Sequence, residues 1–250
     1  MKTISEVGHS KNVANLEDLI SYCTAFGVVY NPSSVALQLS SLTTLKTTAD
    51  AAITTTVNAV TNYKTAVNNR QIAFKNLKQL APRIINALKA GGVSPQTFTN
   101  ANAIYKKLMG RTKKVSNSTL PKTAKTIDSI APTALTISTS QQSYDSRIEF
   151  FTALIDLVSN VSSYTPNEIA LTLASLNSFL FNLKTVNTAV ITTTTTLDNA
   201  RSNRNSILYT ATTGLVVIAR EVKNYVASIY GKSSNEFKNV NKIQFKLFKY

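Results

Sequence analysis

Tryptophan is missing from this chain of 250 residues, and cysteine and histidine occur once each, as Cys23 and His9. A lone cysteine closes no internal disulfide, so nothing in the chain calls for an oxidising compartment. Cys23 lies in the apolar run Ile20-Ser21-Tyr22-Cys23-Thr24-Ala25-Phe26 and reads as a buried, inert thiol. A Ser-His-Asp or Cys-His arrangement would have to recruit His9 from an expected N-terminal arm, residues 1–11. Zinc sites need a cluster of Cys, His and carboxylate ligands, and the composition offers none. Acidic residues are also few, 12 against 27 basic, too scattered to pair for acid–base work. Asp50, the only acid between Tyr30 and Ser116, reads as a solvated side chain.

Other absences narrow the class further. The N-terminal Met-Lys-Thr-Ile-Ser-Glu-Val-Gly-His-Ser lacks the apolar core of a secretion signal. The longest apolar candidate, Gly214 to Ala219, falls far short of the ~18 residues that a membrane helix needs. We expect no transmembrane segment and a soluble, cytoplasmic protein. Without a secretion signal, the glycosylation patterns Asn117-Ser118-Thr119 and Asn160-Val161-Ser162 carry little weight. Gly231-Lys232-Ser233 is no phosphate loop, because Val226 stands where the loop's first glycine belongs. No catalytic residue, metal or cofactor is therefore expected.

What the chain does contain is apolar content normal for a folded protein, 43%, and a net charge of +15. A field of that sign favours contact with something anionic, such as nucleic acid, a ribosome or an acidic protein.

The sequence is also written twice. Tyr30-Asn31-Pro32-Ser33-Ser34-Val35-Ala36-Leu37-Gln38-Leu39-Ser40-Ser41-Leu42 returns 134 residues later as Tyr164-Thr165-Pro166-Asn167-Glu168-Ile169-Ala170-Leu171-Thr172-Leu173-Ala174-Ser175-Leu176. Ala66, Asn69 and Arg70 fall in the same register on Ala200, Asn203 and Arg204. After five extra residues in the second copy, Ser94, Phe98, Asn100, Asn102 and Ile104 fall on Ser233, Phe237, Asn239, Asn241 and Ile243. Such a register reads as tandem duplication. We assign repeat 1 to residues 1–116, a Ser/Thr/Pro-rich linker to 117–146, and repeat 2 to 147–250.

Periodicity gives the fold. Leu42, Ala49, Ile53, Thr56, Val60, Tyr63, Val67, Phe74, Leu77, Ala81, Ile84 and Leu88 follow a 3-4 spacing, completed by Lys46 and Arg70. Leu176, Leu180, Leu183, Val190, Leu197, Leu208, Leu215, Ile218 and Val222 repeat it, a helical stripe with no strand reading. The expected fold is all-α: an elongated helical bundle of two homologous repeats, with long antiparallel coiled-coil-like helices and pseudo-two-fold symmetry. Thr165-Pro166-Asn167-Glu168 reads as a capping box with proline at the first helical position. Breaks are expected near Pro82 and Gly214, and a kink or turn near 58–62 and the Thr192–Thr196 run, because β-branched residues are weak helix formers. Gly91-Gly92 should end a helix, and Ser94-Pro95 and Ser233-Ser234 should each begin one.

Two sets of residues stand out as candidate sites. Asn69-Arg70 and Asn203-Arg204 are matched between copies, with each arginine at an inward phase, where a guanidinium is costly unless paired. They read as an inter-repeat contact or an anion-binding site. The second set is a basic surface at the end of each copy: Lys106, Lys107, Arg111, Lys113 and Lys114, then Lys238, Lys242, Lys246 and Lys249. Tyr105, Phe245, Phe248 and Tyr250 are interleaved with it, and phosphate-backbone contact needs no more than this.

At Gly8-His9-Ser10-Lys11-Asn12-Val13-Ala14-Asn15, the two Tyr-x-Pro segments and the Lys-rich end, the chain resembles a family of uncharacterised bacterial all-helical proteins. The resemblance covers nearly the full length, implies a bacterial, unexported origin, and transfers no activity or site residue. The expectation is a non-enzymatic structural or interaction protein that self-assembles as a homo-oligomer or binds an anionic partner through basic helix ends. The alternative is a membrane-acting helical protein of the pore-forming toxin type.

Overall fold

The 3-4 stripes become two long helices. In a computed structural model that describes residues 6–110 and 142–248, those residues form seven helices and no strand. The helices are α1 (Glu6–Ala25), α2 (Leu39–Ala90), α3 (Pro95–Met109), α4 (Tyr144–Ser159), α5 (Leu173–Tyr209), α6 (Leu215–Tyr230) and α7 (Asn235–Asn241). Leu42, Ala49, Ile53, Thr56, Phe74, Leu77, Ala81, Ile84 and Leu88 of α2 are buried, and so are all nine stripe residues of the second copy.

The local signals around these helices are overridden in several places. Thr165-Pro166-Asn167-Glu168 caps no helix. It leads into a single 3₁₀ turn, Ile169–Leu171, and α5 waits until Leu173. The cap is Thr172, whose hydroxyl accepts the Ser175 N–H at 3.3 Å. The buried Tyr164 hydroxyl explains the delay, because it donates to the Leu171 carbonyl at 2.9 Å and turns that oxygen away from the helix. The first copy does the same: Tyr30 donates to the Leu37 carbonyl at 2.7 Å, after a 3₁₀ turn at Val35–Leu37 and before α2 begins at Leu39. Burial is the main cause that raises the pKa of both phenols, so each stays a donor.

Three expected breaks do not end a helix, the one near 58–62 among them, which lies inside α2. α2 runs through Pro82, which removes one helical bond and crowds the preceding turn. Ala81, Ile84 and Ile85 on either side are buried, so packing holds the helix across the defect. The Thr192–Thr196 run also stays helical, because Val190 and Leu197 on either side of it are buried and outweigh propensity differences of a few tenths of a kcal/mol. Thr196 bonds back to the Thr192 carbonyl at 3.0 Å, as Thr43, Thr44, Thr47 and Thr48 do to theirs in α2.

The break at Gly214 is present. Its N–H reaches the Thr210 carbonyl at 2.9 Å, and a Cβ there would meet the Thr210 backbone at 2.6 Å, so only glycine fits. After this interruption the stripe resumes in α6: Leu215, Ala219, Val222 and Val226 share the 4-3-4 spacing of Leu77, Ala81, Ile84 and Leu88 in α2, all buried. α2 ends before Gly91-Gly92. Ser94 and Ser234 cap α3 and α7, accepting from the Thr97 and Phe237 amides. Residues 6–11 of the expected arm belong to α1, and α4 starts at Tyr144, inside the expected linker. The rest of that linker, to residue 141, lies outside the described residues.

The chain divides into two compact units. One comprises Met1–Thr65 and Thr192–Tyr250, the other Ala66–Ile191. The core of the first brings Val13, Leu16, Leu19 and Cys23 of α1 against Leu42, Ala49 and Ile53, Leu208, and the buried face of α6. In this unit the Thr56 hydroxyl lies 3.3 Å from the Ala200 carbonyl, whereas Leu42 and Ala49 share the cluster of Leu208. The two long-helix segments therefore run antiparallel there. The core of the second unit joins Phe74, Leu77, Ile84 and Leu88 with Ala101 and Leu108 of α3, Phe151, Leu154 and Ile155 of α4, and Leu176, Leu180 and Leu183 of α5.

Replacing Tyr164 with Phe should lower stability by about 1 kcal/mol, because the Leu171 carbonyl loses a buried donor while the ring remains. A shift of the urea midpoint checks this. Pro82→Ala restores a helical bond and should raise stability by roughly 1–3 kcal/mol in the same assay.

Candidate functional site

The matched arginines occupy different surroundings. Arg70 lies in the unit Ala66–Ile191 and Arg204 in the other. Arg70 Nη1 donates to Asn187 Oδ1 at 3.2 Å, and its guanidinium stacks 4.0 Å above the Tyr144 ring. Asn187 is buried and passes the contact on, with Nδ2 donating to Asp145 Oδ1 at 2.7 Å. Arg70 Nε is buried without a hydrogen-bond partner. The groove lined by Asn187 and Asp145 is lined by Glu149, Asp156 and Lys184 as well. Arg204 is 3% exposed and directs Nε and Nη2 to Asn205 Oδ1 at 3.1 and 2.8 Å. Asn69 and Asn203 are both exposed.

Of the basic surface, Lys106 and Lys107 are exposed in the last turn of α3. Lys238 in α7, Lys242 just after it and Lys246 are exposed in the other unit. Arg111, Lys113, Lys114 and Lys249 lie outside the described residues. Among the described residues, ion pairs join Lys46 to Glu17 and Asp50 and Arg201 to Asp198, and none includes these five lysines. Lys246 lies beyond the last helix and not at a helix end, because α7 stops at Asn241. The interleaved aromatics are engaged elsewhere. Tyr105 is in the core of its unit, Phe245 lies over Lys223 Nζ at 5.5 Å, and Phe248 packs on His9 and Tyr209. Tyr250 is outside the described residues. Another ring remains accessible, since Tyr22, 39% exposed, lines a groove together with Lys242.

A polar cluster in the first unit has no counterpart among the sites expected from sequence. His9, Asn12 and Asn15 line one face of α1, and each is no more than 6% exposed. His9 Nδ1 lies 2.6 Å from the Tyr209 hydroxyl. Asn12 holds the backbone of Lys246 with both ends of its carboxamide: Nδ2 donates to the carbonyl at 2.8 Å, and Oδ1 accepts the N–H at 3.0 Å. Asn15 Nδ2 donates to the Gln244 carbonyl at 2.6 Å. From α6, Lys223 donates to the carbonyls of Ile243 and Asn241. Burial, with Arg220 adding repulsion, lowers the pKa of Lys223. The one available signal was the spacing of His9, Asn12 and Asn15 on the inward phase of α1, in step with Val13, Leu16 and Leu19.

Cys23 is fully buried, and desolvation pushes its thiol up to about 11 against a partly offsetting interaction with Tyr30. Among the described residues, no group of three His, Cys, Asp or Glu is placed to hold a metal ion. Compared with protein-family models, with curated proteins and with solved structures, the chain matches none.

The Cys23 thiol should resist a disulfide-exchange reagent in the native protein and react fully in denaturant. An unfolded thiol ionises near its ordinary value of 9.0, whereas the folded one holds its proton to about 11. Its contribution to stability is complete below the former pH and is lost as pH rises through the latter. Urea midpoints measured across that window should therefore fall more steeply for the native chain than for Cys23→Ala.

Proposed function

We propose that this chain is a non-catalytic helical interaction protein that presents exposed lysines to an anionic macromolecule. The observation that carries the reading is the row Lys238, Lys242 and Lys246, exposed and in none of the ion pairs found among the described residues. Lys106 and Lys107 add a second basic site in the other unit. With Tyr105, Phe245 and Phe248 engaged elsewhere, such a surface suits contact with phosphate backbone, independent of base sequence. The net charge of +15 acts at longer range and favours encounter with polyanions.

We further infer that the scaffold arose by duplication of one helical module. Three features support this: the register of 134 residues, the matched tyrosine-to-carbonyl bonds at Tyr30 and Tyr164, and the shared spacing of buried residues in α2 and α6. Each compact unit takes opening elements from one copy and closing elements from the other. Such reciprocal composition is what a pseudo-two-fold exchange of the copies requires. Among the described residues no helix is long and apolar enough to cross a membrane, and no observation favours the membrane-acting reading.

Fluorescence anisotropy with labelled single-stranded and duplex DNA tests the proposal. Affinity should fall steeply with salt and vary little with base sequence. Replacing Lys238, Lys242 and Lys246 with alanine should flatten the slope of log K against log salt by about 0.7–0.9 for each phosphate left without its lysine. Salt-independent binding, or a triple variant with an unchanged slope, sinks the reading.

A further inference from the structure

Residues 243–248 adopt no helix, and two backbone sites and one ring of the segment meet α1. Gln244 and Lys246 offer their backbones to Asn15 and Asn12, and Phe248 sets its ring against His9 and Tyr209, with centroids 5.0 and 5.8 Å away. Gly8 leaves the room, since a Cβ there would come within 2.7 Å of the Phe248 ring. Phe245 lies over Lys223. The Asn12 carboxamide accepts and donates at a single residue, as a neighbouring β-strand would.

The fastening has two chemical properties. Almost all of its hydrogen bonds address the main chain of the segment, so they depend on an extended backbone and not on particular side chains. The side chains of the segment add partial burial to these bonds: Gln244, Lys246 and Leu247 are exposed, whereas Ile243, Phe245 and Phe248 are partly buried. Ile243 and Phe245 pack against the core built on Val13, Leu16, Leu19 and α6, though neither is among its buried members. Release would uncover a groove of nearly buried asparagines and give up the contacts of Ile243 and Phe245, while the buried residues of that core keep their own packing.

We propose that the α1 face formed by Gly8, Asn12 and Asn15, together with Tyr209 and Lys223, is a binding groove for an extended peptide. Its exchange ligand is segment 243–248 of a second copy of this chain. The second copy is the occupant whose fit the structure already displays, and swapping an identical segment costs little, because each bond broken is remade with the partner. The groove acts through main-chain amides, independently of the lysine charges behind the polyanion reading.

The test uses the full chain and a fluorescent synthetic peptide with the sequence of residues 242–248. Saturable binding is expected, weakened about tenfold or more by Asn12→Ala, which removes two hydrogen bonds. In case that variant fails to fold, a peptide N-methylated at the Lys246 amide is titrated into the unaltered protein. It should bind at least about tenfold more weakly, whereas a peptide with Lys246→Ala should bind as well as the original. Two differently tagged full chains, mixed and purified through one tag, should form mixed dimers that excess peptide dissolves. Absence of saturable peptide binding, or equal binding of the N-methylated peptide, overturns the groove. Peptide binding without mixed dimers overturns the assignment to a second copy. Neither result touches polyanion binding, which is read by salt dependence.

Discussion

Every long helix here is held by the closing of one apolar stripe against another. A helix rich in Thr, Ser and Asn is marginal alone, because β-branched and self-bonding side chains compete with its backbone order. α2 and α5 persist for 52 and 37 residues because Leu, Ile, Ala and Phe recur on their inward faces. Burial at roughly 25 cal/mol per Å² of apolar surface easily exceeds the propensity lost at each threonine. The same constraint carries α2 across Pro82, where buried neighbours on both sides keep the chain helical.

Where stripes do not decide, single polar bonds do. Tyr30 and Tyr164 each take a carbonyl seven residues onward and thereby set where the long helices begin. Gly214 admits the close return on Thr210 that separates α5 from α6. Arg70 is tolerated at an inward phase because the face of Tyr144 and the amide oxygen of Asn187 receive its guanidinium. Arg204, its counterpart in the sequence, makes a different set of bonds.

The charges complete a division of labour. Lysines remain exposed at the end of α3 and around α7, whereas the aromatics beside them in sequence turn inward or onto neighbours. This separation leaves Lys106, Lys107, Lys238, Lys242 and Lys246 exposed as point charges. The asparagines of α1 do the opposite: they are buried and are satisfied by the backbone of residues 244–246. Buried amides of this kind demand partners, so the segment that supplies them belongs to the architecture even though it has no regular structure.

Much of this architecture is already written in the order of residues. The 3-4 recurrence from Leu42 to Leu88 and from Leu176 to Val222 determined that the chain is helical and which faces are buried, because helical phase is a local property that spacing alone sets. The ends at Gly91, Ser94 and Ser234 were equally local. What only the tertiary structure decided involves groups far apart in sequence. Asn12 meeting Lys246, His9 meeting Tyr209 and Arg70 meeting Asn187 are pairings that no periodicity encodes. The helix starts at Leu39 and Leu173 and the continuity through Pro82 escape local reading for a related reason. Local preferences of a few tenths to about 3 kcal/mol yield once a buried bond or a packed neighbour supplies more.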